Sequence, residues 1–174
     1  MKHKILVTGA SGAFGSLACI QLVENGHQVV GTMRSLKGKN EAIANELKSK
    51  GVALVEMDVT NEESVNAGVK SAIEMMDGLD TVFNNAGIGA NGILECFTAS
   101  DIQKMFDVNV FGLLNVVRNV TPYLRKQQSG HIFNIASVGG YFGGFAGWGI
   151  YCSTKFAMAG FTEALAEEVK EFGV

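Results

Sequence analysis

Short apolar runs alternate with segments of helical spacing along the whole chain, and this alternation limits its fold more than any other feature. The apolar runs are rich in Val, Ile and Leu, and we predict strands at residues 4–8, 27–33, 52–57, 79–84 and 131–136. We predict helices at residues 13–25, 40–50, 62–76 (with Asn61 as its N-cap) and 150–172, with one or two more between 101 and 128. Buried strands that are each followed by a helix predict an α/β protein with a doubly wound parallel sheet. Right-handed crossovers would place ligands beyond the carboxyl ends of its strands.

Composition and charge narrow the class of protein further. The 174 residues, 47% hydrophobic and 18% charged, fit a single domain spanning residues 1–174. The net charge of −3 and the lack of a Lys/Arg run predict no nucleic-acid surface. No apolar stretch reaches the ~18–20 residues of a membrane span and no signal peptide is recognised, so we expect a cytoplasmic protein. Cys19, Cys96 and Cys152 are widely spaced and the histidines are scattered, so neither a disulfide framework nor a metal site is expected.

A glycine-rich turn, Val7-Thr-Gly-Ala-Ser-Gly-Ala-Phe-Gly15, joins the first predicted strand to the first predicted helix. Glycine lets a phosphate approach the backbone, and a helix N-terminus offers free N–H groups to it. The alternative is an ordinary turn without a ligand, but the position between strand and helix favours phosphate binding. The residues predicted to contact a cofactor here are Gly9, Ser11, Gly12, Phe14 and Gly15.

The end of the second predicted strand bears on which dinucleotide would bind. In dinucleotide folds, an acidic residue about 20 positions after the glycines takes the ribose 2′-hydroxyl of NAD, whereas an arginine suits the 2′-phosphate of NADP. Arg34 occupies that neighbourhood and the nearest following acid, Glu41, lies beyond the loop, so NADP is favoured over NAD. A solvated surface arginine is the alternative. After the third strand, Asp58 and Val59 either flank the adenine or belong to a helix cap.

Small and polar residues also follow the fourth and fifth predicted strands. The segment Asn84-Asn-Ala-Gly87 permits a cofactor to approach the backbone, and its asparagines need hydrogen-bond partners. Asn85, Ala86 and Gly87 are therefore predicted cofactor contacts. Ser137 follows the fifth strand at the same edge. Asn109 lies within an otherwise apolar helix, where it either has a structural role or holds a water molecule.

Tyr151 and Lys155 lie four residues apart at the start of the last predicted helix and so share one of its faces. Alone, the pair fits either a boundary tyrosine with a snorkelling lysine or a proton donor with the charge that tunes it. A carbonyl that accepts hydride needs a proton donor within hydrogen-bond reach. An ammonium group one turn away favours a phenolate electrostatically.

Taken together, these motifs resemble the short-chain dehydrogenase/reductase family, over the chain from Lys4 to its end. The matching residues, in type, order and spacing, are Thr8-Gly9…Gly15, Asn84-Asn-Ala-Gly87, Asn109, Ser137 and Tyr151-x-x-x-Lys155. Ala13 stands where the family's middle glycine usually falls, with Gly12 one place earlier. That spacing also suits the family's longer sugar-nucleotide branch, but the segment at Asn84 points to the single-domain oxidoreductases.

The resemblance implies a Rossmann fold and an enzyme that interconverts an alcohol and a carbonyl with NADP(H). By the same resemblance, Ser137 hydrogen-bonds the substrate oxygen, Tyr151 moves the proton, and Asn109 anchors a water relay. Lys155 would hold the nicotinamide ribose, which makes Tyr151 and Lys155 cofactor contacts as well as catalytic residues. The second hypothesis is a dinucleotide-binding redox sensor without turnover, which has no need of a proton donor. A methyltransferase is a distant third, because nothing in that fold requires the Tyr-Lys pair.

Two further expectations concern the substrate and the chain end. The aromatic, glycine-rich segment 139–149 should border the substrate, which favours a bulky apolar one; packing of these aromatics against helices or a partner subunit is the alternative. Members of the family normally continue with a strand, a covering loop and helix, and an edge strand. We therefore expect the domain to lack this C-terminal strand-helix-strand as part of a longer polypeptide. We also expect the helices at 107–128 and 150–172 to mediate a homodimer or homotetramer.

Overall fold

The protein is built around one five-stranded parallel sheet. The computed structural model describes residues 2–174. The strands are β1 (Lys4–Val7), β2 (Gln28–Met33), β3 (Ala53–Glu56), β4 (Thr81–Asn84) and β5 (His131–Asn134). Their order in the sheet is β3-β2-β1-β4-β5, and every neighbouring pair is parallel. The chain therefore reverses its direction of travel across the sheet between β1 and β4, which is the point where such folds bind ligands.

Helices cover both faces of this sheet. They are α1 (Ala13–Glu24), α2 (Glu41–Ser49), α3 (Glu62–Met76), α4 (Ala99–Phe106), α5 (Gly112–Gln127) and α6 (Gly149–Val169). A π-helical turn, Asp107–Phe111, joins α4 to α5, and short 3₁₀ turns lie at Gly38–Asn40, Leu94–Cys96, Val138–Gly140 and Lys170–Phe172. Within residues 2–174, no helix is long and apolar enough to cross a membrane.

The alternation of side chains along the strands divides the core into two layers. In β1, Ile5 and Val7 pack with residues of α1 and α2, whereas Leu6 packs with residues of α3 and α5. A third cluster joins α5 to α6. Strands with both faces buried read as continuous apolar runs, because successive side chains enter opposite layers. This packing explains why apolar runs rather than alternating patterns marked the strands.

The predicted doubly wound α/β fold is confirmed, and all five strands lie within two residues of their predicted ends. Asn61 caps α3 as predicted, since its Oδ1 accepts a hydrogen bond from the Ser64 backbone N–H at 2.8 Å. The region between 101 and 128 contains two helices joined through the π-helical turn, with Asn109 inside that turn.

Candidate active site

Two positions in the turn after β1 have no room for a side chain. Gly9 has φ +70°, and a Cβ there would lie 2.8 Å from Ala86 Cα. A Cβ at Gly15 would lie 2.3 Å from the Gly9 carbonyl oxygen. Gly12 is the N-cap of α1 and has no side chain to cap the helix. The orphan N–H groups of the first turn of α1 are therefore left for another acceptor.

The segment after β4 holds this turn in place. The Thr8 hydroxyl accepts hydrogen bonds from the backbone N–H groups of Asn85 and Ala86, at 3.1 and 3.0 Å. In return, the Asn85 amide Nδ2 donates to the carbonyls of Thr8 and Gly9, at 3.0 and 3.2 Å. Four hydrogen bonds thus join the two loops at the switch point of the sheet into one floor.

A cleft of about 850 Å³ lies above this floor, within the size range of dinucleotide and drug-like ligand sites. Its wall extends from the glycine-rich turn past the end of β2 to the start of the segment after β4. It is lined by all the predicted cofactor contacts except the Tyr-Lys pair, namely Gly9, Ser11, Gly12, Phe14, Gly15, Arg34, Asp58, Val59, Asn85, Ala86 and Gly87.

Asp58 was expected either to flank the adenine or to belong to a helix cap. Its carboxylate accepts hydrogen bonds from the backbone N–H and the hydroxyl of Thr60, at 3.0 and 2.7 Å. The cap of α3 is supplied by Asn61 instead. Asp58 therefore shapes the turn that precedes α3 and also lines the cleft.

The sequence interpretation missed several residues of the cleft. Lys39 and Asn40, from the same loop as Arg34, line it, and so do residues 88–92. The loop after β2 has two further cations, Lys37 and Lys39, and the sequence gives no sign that only Lys39 lines the cleft. No local signal marks the 88–92 segment, because its place depends on contacts with distant parts of the chain.

Ser137 and Tyr151 lie on either side of one glycine. A Cβ at Gly139 would lie 3.6 Å from Ser137 Oγ and 3.7 Å from Tyr151 Cε1. The Ser137 hydroxyl also accepts a hydrogen bond from the Gly139 N–H at 3.2 Å. At Gly140, a Cβ would lie 2.9 Å from the Lys155 carbonyl oxygen. These two glycines let the turn that carries Ser137 lie directly against α6.

The Tyr151 ring adjoins the cleft through the segment after β4. A Cβ at Gly89, which lines the cleft, would lie 3.5 Å from Tyr151 Cδ2. Trp148 contacts the same ring edge-on, with centroids 5.5 Å apart. The Gly92 N–H donates to the Gly147 carbonyl at 2.9 Å, so the loops on both sides of the tyrosine are tied together.

Lys155 is almost fully buried at one turn beyond Tyr151. Its Nζ donates to the Ile135 carbonyl at 2.7 Å and lies 5.7 Å from the centroid of the Tyr151 ring. Loss of hydration on burial lowers the pKa of the Lys155 ammonium. Because an ammonium has three N–H donors, it can bind further oxygen acceptors beside Ile135.

Asn109 is completely buried in the π-helical turn, and its side-chain amide makes three hydrogen bonds. Its Oδ1 accepts from the Ile88 N–H at 2.8 Å, and its Nδ2 donates to the Ile88 carbonyl at 2.8 Å and to Thr154 Oγ1 at 3.0 Å. Thr154 Oγ1 in turn donates to the Tyr151 carbonyl at 2.7 Å. The side chain therefore has a structural role, and only the backbone of the π-helical turn is left for a water relay.

Comparison with known proteins agrees with this arrangement. The family model described as short chain dehydrogenase matches residues 3–174. The chain belongs to the short-chain dehydrogenase family. The family resemblance predicted from the motifs is thus confirmed.

Individual relatives extend this result. The chain is 39% identical over 170 residues to a 3-ketodihydrosphingosine reductase from Bacteroides thetaiotaomicron, covering 98% of this chain but only 60% of that protein. The structure of ElxO with NADP bound has a TM-score of 0.90 at 30% identity, over 99% of this chain and 70% of the other. The structure of NAD⁺-bound xylitol dehydrogenase has a TM-score of 0.88 at 29% identity, over 97% and 65% of the two chains. The structural neighbours thus include one with NADP and one with NAD.

Proposed function

We propose that the protein is an NADP(H)-linked oxidoreductase that interconverts an alcohol and a carbonyl. The observation that supports this best is the packing of Ser137, Tyr151 and Lys155 around one turn at the carboxyl edge of the sheet, next to a cleft of dinucleotide size. A redox sensor would need the cleft but not these three side chains together, so that alternative is not favoured.

The residues of the cleft fit a dinucleotide. Gly9 and Gly15 leave no room for side chains, and the first turn of α1 has unpaired N–H groups that suit a pyrophosphate. Lys155 would hold ribose hydroxyls with its remaining N–H donors. When bound, the nicotinamide ring of such a cofactor exchanges hydride with a carbon of the substrate.

In the proposed mechanism the chain's own residues handle the substrate oxygen and its proton. The Ser137 hydroxyl donates a hydrogen bond to that oxygen and orients it. The Tyr151 phenol donates the proton during reduction and accepts it during oxidation. Lys155, 5.7 Å from the ring centroid, stabilises the phenolate that forms when the proton leaves. A water relay at the backbone of Asn109 would return the proton from solvent.

Two cations support NADP over NAD. Arg34 and Lys39 line the cleft at the end of β2, and among residues 2–174 no carboxylate lies within salt-bridge distance of either. Cations that line a cleft without a carboxylate partner suit a phosphate ligand. Asp58, two residues after β3, also lines the cleft, but its carboxylate accepts a hydrogen bond from the Thr60 hydroxyl.

The substrate we propose is a bulky, apolar carbonyl or alcohol compound. Tyr141, Phe142, Phe145 and Trp148 are all exposed in the segment between Ser137 and Tyr151. Ile93 and Leu94 add exposed apolar surface to the segment after β4. Exposed aromatic and aliphatic side chains beside a catalytic group would bind the apolar body of a substrate.

We also propose a cytoplasmic homodimer or homotetramer. Phe111 and Phe156 are about half exposed, on the π-helical turn before α5 and on α6. Large apolar side chains exposed on neighbouring helices suit an interface between subunits. All three cysteines are free thiols, as suits a reducing compartment.

Tyr151→Phe tests the proposed function. A panel of apolar ketones and aldehydes is screened with NADPH, and the variant is then compared with wild type on the best substrate. We expect its turnover to fall by about 10²–10⁴-fold, the usual contribution of general acid catalysis, while NADPH binding is retained. Tyr123→Phe in α5 is the matched control and should keep wild-type turnover. Wild-type turnover by Tyr151→Phe with saturating cofactor would refute the assignment.

A further inference from the structure

The loop between β2 and α2, residues 34–40, carries two of the three cations that line the cleft, and the third, Lys104, lies in α4. Arg34 follows the last residue of β2, and Lys39 lies in the 3₁₀ turn just before α2. Both line the cleft and both are exposed. Their ability to bind one phosphate together therefore depends on the conformation of this loop.

A single residue of a different strand fastens the middle of the loop. The Leu36 N–H donates to Glu56 Oε1 at 2.7 Å. Glu56 is the last residue of β3 and is the register partner of Met33 in β2. The bond therefore returns the chain to the sheet edge only two residues after Arg34. Within the loop, Asn40 Nδ2 also donates to the Ser35 carbonyl at 2.9 Å.

Glu56 carries a negative charge close to the proposed phosphate site. A carboxylate near a phosphate site repels the phosphate, so charge alone would make Glu56 unfavourable for NADP. Yet no salt bridge joins Glu56 to any cation among residues 2–174, and its Oε1 is engaged by a backbone N–H instead. Glu56 therefore binds the backbone of the loop and not its cationic side chains.

We infer that Glu56 is a positioning residue for cofactor choice, which holds the 34–40 loop so that Arg34 and Lys39 face a 2′-phosphate together. This inference rests on the proposed function in one respect, that the cleft takes the adenosine end of a dinucleotide. Ordering the loop before the ligand arrives removes an entropic cost from binding. Glu56 itself need not touch the cofactor.

Two conservative variants test separately the length and the charge of the Glu56 side chain. Glu56→Asp keeps the charge but shortens the side chain by one methylene, so the bond to the Leu36 N–H is lost. Glu56→Gln removes the charge but keeps an oxygen acceptor at the same reach. Because Glu56 is exposed, neither change should alter the unfolding temperature, which is measured as a control.

The probes are adenosine 2′,5′-bisphosphate and adenosine 5′-monophosphate, titrated by calorimetry without any substrate. We expect Glu56→Asp to bind the bisphosphate more weakly than wild type by about fivefold, and the monophosphate with less than about a twofold change. Glu56→Gln should bind the bisphosphate at least as tightly as wild type, because the acceptor stays and the repulsion is gone.

The opposite pattern would overturn the inference. If Glu56→Asp binds the bisphosphate as wild type does, the loop does not depend on this bond. If the wild-type protein binds the two nucleotides equally, neither cation reads a 2′-phosphate and Glu56 has nothing to position. Failure of the proposed function is a separate result: a protein that prefers the bisphosphate but turns over no carbonyl would refute the enzyme assignment and leave the Glu56 result intact.

Discussion

Replacing the buried Asn109 should cost more stability than replacing Asn119, a half-buried asparagine in the following helix α5. Its side chain is fully buried and makes three hydrogen bonds, two to the backbone of Ile88 and one to Thr154. Asn109→Leu keeps the number and branching of the side-chain heavy atoms but removes all three hydrogen bonds. The variant also leaves the N–H and carbonyl of Ile88 without these partners.

The size of the effect follows from those bonds. Each intramolecular hydrogen bond contributes about 0.5–1.5 kcal/mol net, and a buried group left unpaired costs more. We therefore expect the free energy of unfolding to fall by about 3 kcal/mol. For a chain of this size, that loss lowers Tm by roughly 6–12 °C.

Asn119→Leu in α5 is the matched control. Asn119 also makes two hydrogen bonds, to Asn66 and to the Asn115 carbonyl, but the Asn66 contact is solvent-exposed. Water can replace exposed partners, so we expect a loss below about 1 kcal/mol. Urea unfolding of both variants gives the free energies, and hydrogen exchange of the Ile88 N–H should accelerate in Asn109→Leu only. Equal losses of stability in the two variants would refute the structural role of Asn109.

Two other predictions concern a glycine and a thiol. Gly15→Ala would bring a Cβ within 2.3 Å of the Gly9 carbonyl oxygen, so calorimetry should detect weakened NADPH binding together with lower stability. Gly160→Ala in α6 is the control and should be neutral or stabilising, because a Cβ there meets nothing within 4 Å. Wild-type stability and NADPH binding in Gly15→Ala would contradict the steric argument. Burial raises the pKa of the Cys19 thiol to about 12, so a thiol reagent at mildly alkaline pH should label the exposed Cys96 quickly and Cys19 only after unfolding. Because this folded-state pKa lies above that of the unfolded thiol, the contribution of Cys19 to stability is complete below about pH 8.5 and decreases as the pH rises towards 12. Rapid labelling of native Cys19 would show that the thiol is accessible.

The fold could be predicted from the sequence because its signals are local. The central strands β1, β2 and β4 are runs of mostly buried residues, and Asn61 marks the start of α3. Once the strands are parallel, topology alone brings their carboxyl ends to one edge. This is why Arg34, Asp58 and the segment at Asn85 could be assigned to one cleft.

The contacts that shape the site were harder to predict because they join residues far apart in the chain. Asn109 and Thr154 are 45 residues apart, and Leu36 and Glu56 are 20 apart. Nothing in the sequence near Glu56 distinguishes it from an ordinary exposed residue at the end of a strand. For Asn109, the sequence left a structural and a water-binding role open, and the hydrogen bonds assign its side chain to the first.

Packing within the protein requires some glycines of the first turn but not all of them. Internal contacts require Gly9 and Gly15, since a Cβ at either would lie within 3 Å of other backbone atoms. At Gly12, however, a Cβ would meet only the Gly9 carbonyl oxygen, at an ordinary 3.5 Å. The fold therefore has no steric need for glycine at position 12, although this residue lines the cleft and begins α1. A glycine that the folded chain itself does not require, at a helix N-terminus in a cleft, fits the proposed dinucleotide, because it would let a phosphate approach the backbone closely.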